Sequence, residues 1–372
     1  MTYQFPERWK AESVEVIDVL ESFGKIFKLS NVSYTNREHK QTIHVPGKTY
    51  IGLADFYIWH FLYDSVAQFC YLKTKIEDLN PFFISPAVMK NGTKKEFLDQ
   101  LRYVSFHVES DTVRETQPHK YFEDLFEIFI TQDNMYNLES YNFTFEEVYF
   151  VYDSVRYFNK IPQLVNTGRQ WFGVPYAYWI NNSWESRAHL TRGIFPETWW
   201  RSLGILEMRN IFLKKLKENT TETPKKIFLS RKDANGRYKE RGLGPTFDRH
   251  CSDEVDEFIE DFFVSKGYHP IVLEGMGYLE QLNYFKNATH IAGIVGSSFC
   301  QTLVCNPSAV VSQIMVNKRY DFTYQFISEM VGYHLNDIDL RTVYPNLDKI
   351  KLTLETKYNF AESVYRGKND QA

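Results

Sequence analysis

Long apolar runs are missing from the sequence: no window approaches the roughly eighteen uncharged residues a membrane helix needs. The amino terminus, Met1-Thr2-Tyr3-Gln4-Phe5-Pro6-Glu7-Arg8, has no basic stretch leading into an apolar one, so neither a secretory leader nor a membrane span is read, and a cytoplasmic location is expected. Cysteine is scarce. Cys70, Cys251, Cys300 and Cys305, in so long a chain, show neither a disulfide framework nor a CxxC pair, which fits a reducing compartment and argues against structural zinc. Charge of one sign is lacking too, with 43 basic against 47 acidic residues interspersed, so no field advertises nucleic acid or an anionic membrane. The histidines show no HExxH spacing and the glycines no G-x-G-x-x-G, so a metalloprotease pattern and a dinucleotide fingerprint are both unsupported. Internal repeats and low-complexity tracts are absent as well.

What is present is material for packed cores: 43% hydrophobic residues, 17% aromatic, with 30 Phe and 25 Tyr. At 372 residues two lobes are the natural expectation. The carboxyl-terminal half alternates β-branched runs with helical spacing, the signature of a parallel sheet covered by helices. Strands are expected at 226–230, 271–274, 290–295 and 309–316. Between them, Ser252 or Asp253 caps a helix carrying Val255, Phe258, Ile259 and Phe262 and ending near Gly267, and Leu279, Leu282 and Phe285 mark a shorter one. Ligands of such a Rossmann-like lobe gather at the carboxyl ends of its strands, where Ser230, Glu274 and Gly296 fall. In the other half aromatic residues blur the periodicity; 49–52 leads into a helix over 54–71, and 148–152 and 176–180 read as strands. The expected division is an acceptor-side lobe over 1–215, a nucleotide-binding lobe over 216–330 whose first strand follows the charged linker 217–225, and a segment 331–372 packing back on the amino-terminal lobe.

Three groups of residues carry chemistry. Gly293 to Leu303 runs from a strand through Gly296, Ser297 and Ser298 into a helix, either a seat for phosphate on the helix's first amides or a tight turn that needed glycine. Ser230-Arg231 leaves the first strand of that half and Arg237 follows in the same loop. Guanidinium forks there match a diphosphate and offset charge on a departing nucleotide without a metal. His60 and Asp64 stand four apart on one helical face, either a base with its orienting carboxylate or a surface hydrogen bond. Asp337-Ile338-Asp339 matches a metal-binding DxD only nominally, and no metal site is expected.

From Lys226 to Met315 the chain resembles the catalytic region of glycosyltransferase family 61. The correspondences are Ser230-Arg231, Arg237, Asp253-Glu254, Glu280-Gln281 and Val295-Gly296-Ser297, in the family's order. Upstream, Tyr57-Ile58-Trp59-His60-Phe61-Leu62-Tyr63-Asp64 is similar to its His-aromatic-Leu-x-Asp segment, so the likeness covers about Gly52 to about Val316. The resemblance implies an α/β fold of GT-B type, two Rossmann-like lobes facing a central cleft, and inverting transfer to a glycan or other hydroxyl acceptor. It further implies a UDP-sugar donor such as UDP-xylose or UDP-N-acetylglucosamine, with no metal or other cofactor. On that basis Ser230, Arg231, Arg237, Glu254, Glu280, Gln281, Gly296, Ser297 and Ser298 bind the donor, with Glu254 or Glu280 near the ribose or the loop arginines, and His60 with Asp64 takes the acceptor proton. Two departures stand out: Val295 replaces the family's His and Ser297 its Ala. An impaired module that binds nucleotide or glycan without reacting is the alternative. A nucleotide-dependent oxidoreductase draws only on the Rossmann-like alternation and lacks its fingerprint.

Overall fold

The computed structural model describes residues 9–19, 25–35, 41–54, 61–85, 92–101, 120–136, 140–152, 199–218, 221–231, 251–273, 275–316 and 323–369. Two compact units divide the chain, Met1–Asn210 and Ile211–Ala372. The mixed α/β class holds in both. Among the described residues no helix is long and apolar enough to cross a membrane.

In the first unit the chain runs through β1 (Trp9–Lys10), β2 (Ser13–Val19), β3 (Lys25–Tyr34), β4 (Thr42–Leu53), a π-helical turn (Phe61–Val66) continuing as α1 (Ala67–Lys73), and β5 (Asn80–Ile84). Then come β6 (Gly92–Thr93), α2 (Lys94–Leu101), α3 (Tyr121–Phe129), β7 (Asn134–Met135) and β8 (Asn142–Tyr152). Helix α4 (Trp199–Lys215) carries the chain across the unit boundary. The main sheet has six strands in the order β1-β3-β8-β4-β5, with β2 also on β3.

A Rossmann-like first lobe was expected; this sheet is mixed instead. Strands β1, β2 and β8 are antiparallel to β3, whereas β4 is parallel to both β8 and β5. The reason lies in β8, where buried Phe143 and Phe145 alternate with the more exposed Thr144 and Glu146. That is the pattern of an antiparallel strand wetted on one face. The expected strand at 148–152 is the end of this longer β8, and 176–180 lies outside the described residues.

The second unit holds β9 (Lys226–Leu229), α5 (Asp253–Ser265), β10 (His269–Ile271), α6 (Tyr278–Asn287), β11 (His290–Ile294) and a 3-10 helix (Ser297–Val304). It ends with β12 (Val310–Met315), α7 (Thr323–Val331), β13 (His334–Asp339) and α8 (Leu347–Asn369). Its five strands are all parallel, in the order β10-β9-β11-β12-β13. Every residue of β11 and β12 is buried, as strands covered on both faces must be, which is why they read as unbroken apolar runs. On one face Phe228, Ile294, Ile314 and Ile338 pack against Ile259 and Phe263 of α5 and Ile350 and Leu354 of α8. Ser252 caps α5, its hydroxyl accepting the Val255 N–H at 3.4 Å.

Separating 331–372 from the nucleotide-binding lobe is corrected by this arrangement. Strand β13 pairs with β12 from His334 to Asp339, and α8 contributes Ile350 and Leu354 to the same core. Strand β13 carries only two apolar residues, Leu335 and Ile338, three positions apart and without alternation, so it cannot be read without its partner strand.

Candidate functional site

Counting strands of the second unit by appearance, their spatial order is 2-1-3-4-5, so the sheet reverses direction of growth between β9 and β11. In open parallel sheets the crevice beyond the carboxyl ends of the strands at such a reversal is where ligands bind. Two expected groups fall at this point. Ser230 and Arg231 directly follow β9, and Val295 and Gly296 directly follow β11.

The structure brings them into contact. The Arg231 guanidinium donates through Nη2 to the Val295 carbonyl at 2.8 Å. It also lies over Gly296 so closely that a Cβ there would collide with Nη2. Gly296 is fully extended, at φ 178 and ψ -179, so glycine is needed here for close approach and not for backbone geometry. The Val295 N–H is tied to the Ile314 carbonyl at 3.0 Å, which fixes the end of β11 to β12.

Beneath this contact lies an acidic stripe that the sequence reading did not single out. The Ser230 hydroxyl donates to Glu260 Oε2 at 2.6 Å, and its backbone N–H donates to the Ile271 carbonyl at 2.9 Å. Asp256 and Glu260, one turn apart on α5, are 9% and 5% exposed, so the carboxylate that holds Ser230 has a second buried carboxylate one turn away on the same helix. Burial first, and then Asp256, push the Cys251 thiol up to about 12, while Arg231 pulls it down. Asp256 and Arg231 thus both act at Cys251, just ahead of α5. The available signal was the spacing: Asp256 and Glu260 each follow a buried residue, Val255 and Ile259, on the inward stripe of the helix.

The third loop at this edge is held from within. Gln281 Nε2 donates to the carbonyls of Leu273 (3.0 Å) and Met276 (3.2 Å), and Gln281 Oε1 accepts from Gln301 Nε2 at 2.6 Å. Gln281 is 2% exposed, so its side chain shapes the loop after β10. Glu254 and Glu280 are exposed in the first turns of α5 and α6, where a carboxylate complements the helix dipole. The segment after Gly296 is a 3-10 helix; Ser297 opens it, and Ser298 is half-buried. Arg237 and His60 lie outside the described residues. Asp64 lies in the π-helical turn, a form that recurs at functional sites, and Tyr50 Oη holds that turn by donating to the Ser65 carbonyl at 2.9 Å. Asp337 and Asp339 lie within β13; Asp339 is engaged by Arg341, whose Nε donates to it at 2.8 Å.

Among curated proteins none matches the chain. The family described as Glycosyltransferase 61 matches residues 58–312, a stretch that contains Asp64 in the first unit and the whole β9 to β11 crevice in the second. With that match spanning more than half of its length, the chain belongs to glycosyltransferase family 61.

Proposed function

We propose that the protein transfers a sugar from a UDP-sugar to a hydroxyl of a glycan or similar acceptor, with inversion and without a divalent metal. The observation that carries this reading is the meeting of Arg231 with the Val295-Gly296 backbone at the β9/β11 reversal, inside the family-matched stretch. A guanidinium there offsets charge on the departing UDP, and the amides of Ser297 and Ser298, which open the 3-10 helix, supply further donors. Arg237, six positions further along the sequence, is proposed to supply a second guanidinium. Ser230, Gln281 and the Glu254 and Glu280 helix starts shape the seat around them.

On this reading the first unit presents the acceptor. The acceptor oxygen attacks the anomeric carbon from the face opposite the diphosphate. The C–O bond to UDP breaks with its electron pair leaving on the phosphate, and the hydroxyl proton passes to His60, which Asp64 orients. Attack from the far face inverts the configuration.

The test is release of UDP from a panel of UDP-sugars offered with simple glycan acceptors. Acceptor-dependent release supports the reading; no release with any donor, despite binding, supports a module that holds nucleotide without turnover. Val295 in place of the family's histidine is the observation that keeps this second reading in view.

A further inference from the structure

Behind the crevice, Tyr324 of α7 is 3% exposed and donates its hydroxyl to the Gly296 carbonyl at 2.5 Å. The Phe299 N–H donates to the same carbonyl at 3.0 Å. A trans peptide is planar, with its C=O and N–H directed oppositely. Turning the Gly296 carbonyl toward Tyr324 therefore turns the Ser297 N–H away from it. Gly296 has no side chain to restrain rotation of that peptide, so the restraint comes from outside. Tyr324 is itself well fixed: its ring lies 5.3 Å from that of Phe299, and the buried Tyr333 phenol reaches its backbone carbonyl at 3.2 Å and Thr302 Oγ1 at 3.1 Å.

We infer that Tyr324 is a positioning residue of the donor seat, holding the Gly296–Ser297 peptide so that the Ser297 amide faces the diphosphate. The inference rests on the UDP-sugar reading above and adds to it a residue far in sequence from both crevice loops. Tyr324 touches no substrate atom; it acts through one peptide unit. Its loss weakens recognition of phosphate and leaves the rest of the nucleotide alone.

The experiment compares UDP with uridine, each titrated by ligand-observed NMR against the wild type, Tyr324→Phe and Tyr333→Phe. Tyr324→Phe keeps the ring against Phe299, and unchanged near-ultraviolet circular dichroism verifies its fold. Tyr333→Phe removes a neighbouring buried hydroxyl that does not reach Gly296. The inference predicts that Tyr324→Phe binds UDP about ten- to a hundredfold more weakly with uridine unchanged, the worth of one hydrogen bond to a charged group, and that Tyr333→Phe stays within about twofold for both ligands. Equal weakening of UDP and uridine by Tyr324→Phe, or no weakening of either, overturns it. A wild type that binds UDP no better than uridine overturns the diphosphate reading itself, and the inference with it, before any variant is compared.

Discussion

The guanidinium of Arg231 occupies the space that a side chain at residue 296 would fill. Arg231 and Gly296 are 65 positions apart in sequence, yet the register of β11 on β9, with Gly293 opposite Leu229, places their loops side by side. Gly296→Ala therefore meets no backbone strain, only the far end of a flexible side chain. Its stability should stay within about 1 kcal/mol of the wild type, while Arg231 is pushed off the Val295 carbonyl and UDP binding weakens about tenfold. Urea unfolding and UDP titration on the same preparation check both halves; a variant that binds UDP normally shows that the close approach is incidental.

At the opposite edge of the same sheet, acid should loosen the second unit. His290 opens β11 with its Nε2 3.5 Å from Glu362 of α8, and Lys226, which opens β9, lies 2.5 Å from the same carboxylate. Burial, with Lys226 adding and Glu362 opposing, lowers the His290 pKa from 6.5 to about 4. Between those two values the unfolded chain takes up a proton that the folded chain refuses, so stability falls as pH drops through the window. Glu362 acts in the same sense: its own burial works upward, but hydrogen bonds from Lys226 and Tyr358 hold it below its ordinary 4.5. The stability it adds is present above that value and is lost as pH falls further. Urea midpoints measured from neutral pH down to about 4.5 should decline, and His290→Gln should flatten the decline above about pH 5. An identical slope in the variant contradicts the assignment.

In the first unit, α4 crosses α1 with Gly204 set against Ala67. A Cβ at 204 would overlap the Ala67 carbonyl oxygen and lie 3.2 Å from Tyr71 Cβ, and backbone cannot yield as a side-chain tip does. Gly204→Ala should destabilise the protein by about 1–3 kcal/mol, read as a lower denaturant midpoint. An unchanged midpoint means the helices separate without penalty.

How legible all this was in the sequence depended on where the physics is local. Strands β9, β11 and β12 are buried on both faces, so their apolar runs stand out, and helix α5 announces itself through the Ser252 cap and its inward stripe. Ser230, Arg231 and Gly296 were singled out because they sit at strand ends, where chain punctuation changes. Tyr324 and Glu260 were not singled out because their hydrogen bonds reach partners 28 and 30 residues away, Gly296 and Ser230, and one aromatic among 25 tyrosines carries no local mark. Gln281 was read as a donor contact through the resemblance of the Glu280-Gln281 pair to the family's; only the packing shows its amide nitrogen directed at two loop carbonyls. The mixed sheet of the first unit escaped because the pairing of β3 with β8 joins segments more than a hundred residues apart.

Calorimetric titration of UDP against the wild type and Arg231→Ala puts the crevice reading to its sharpest test. A diphosphate seated where β9 and β11 diverge predicts that the variant binds UDP at least about tenfold more weakly with its unfolding midpoint nearly unchanged. Equal UDP affinity in the two proteins would place the nucleotide elsewhere and contradict the account.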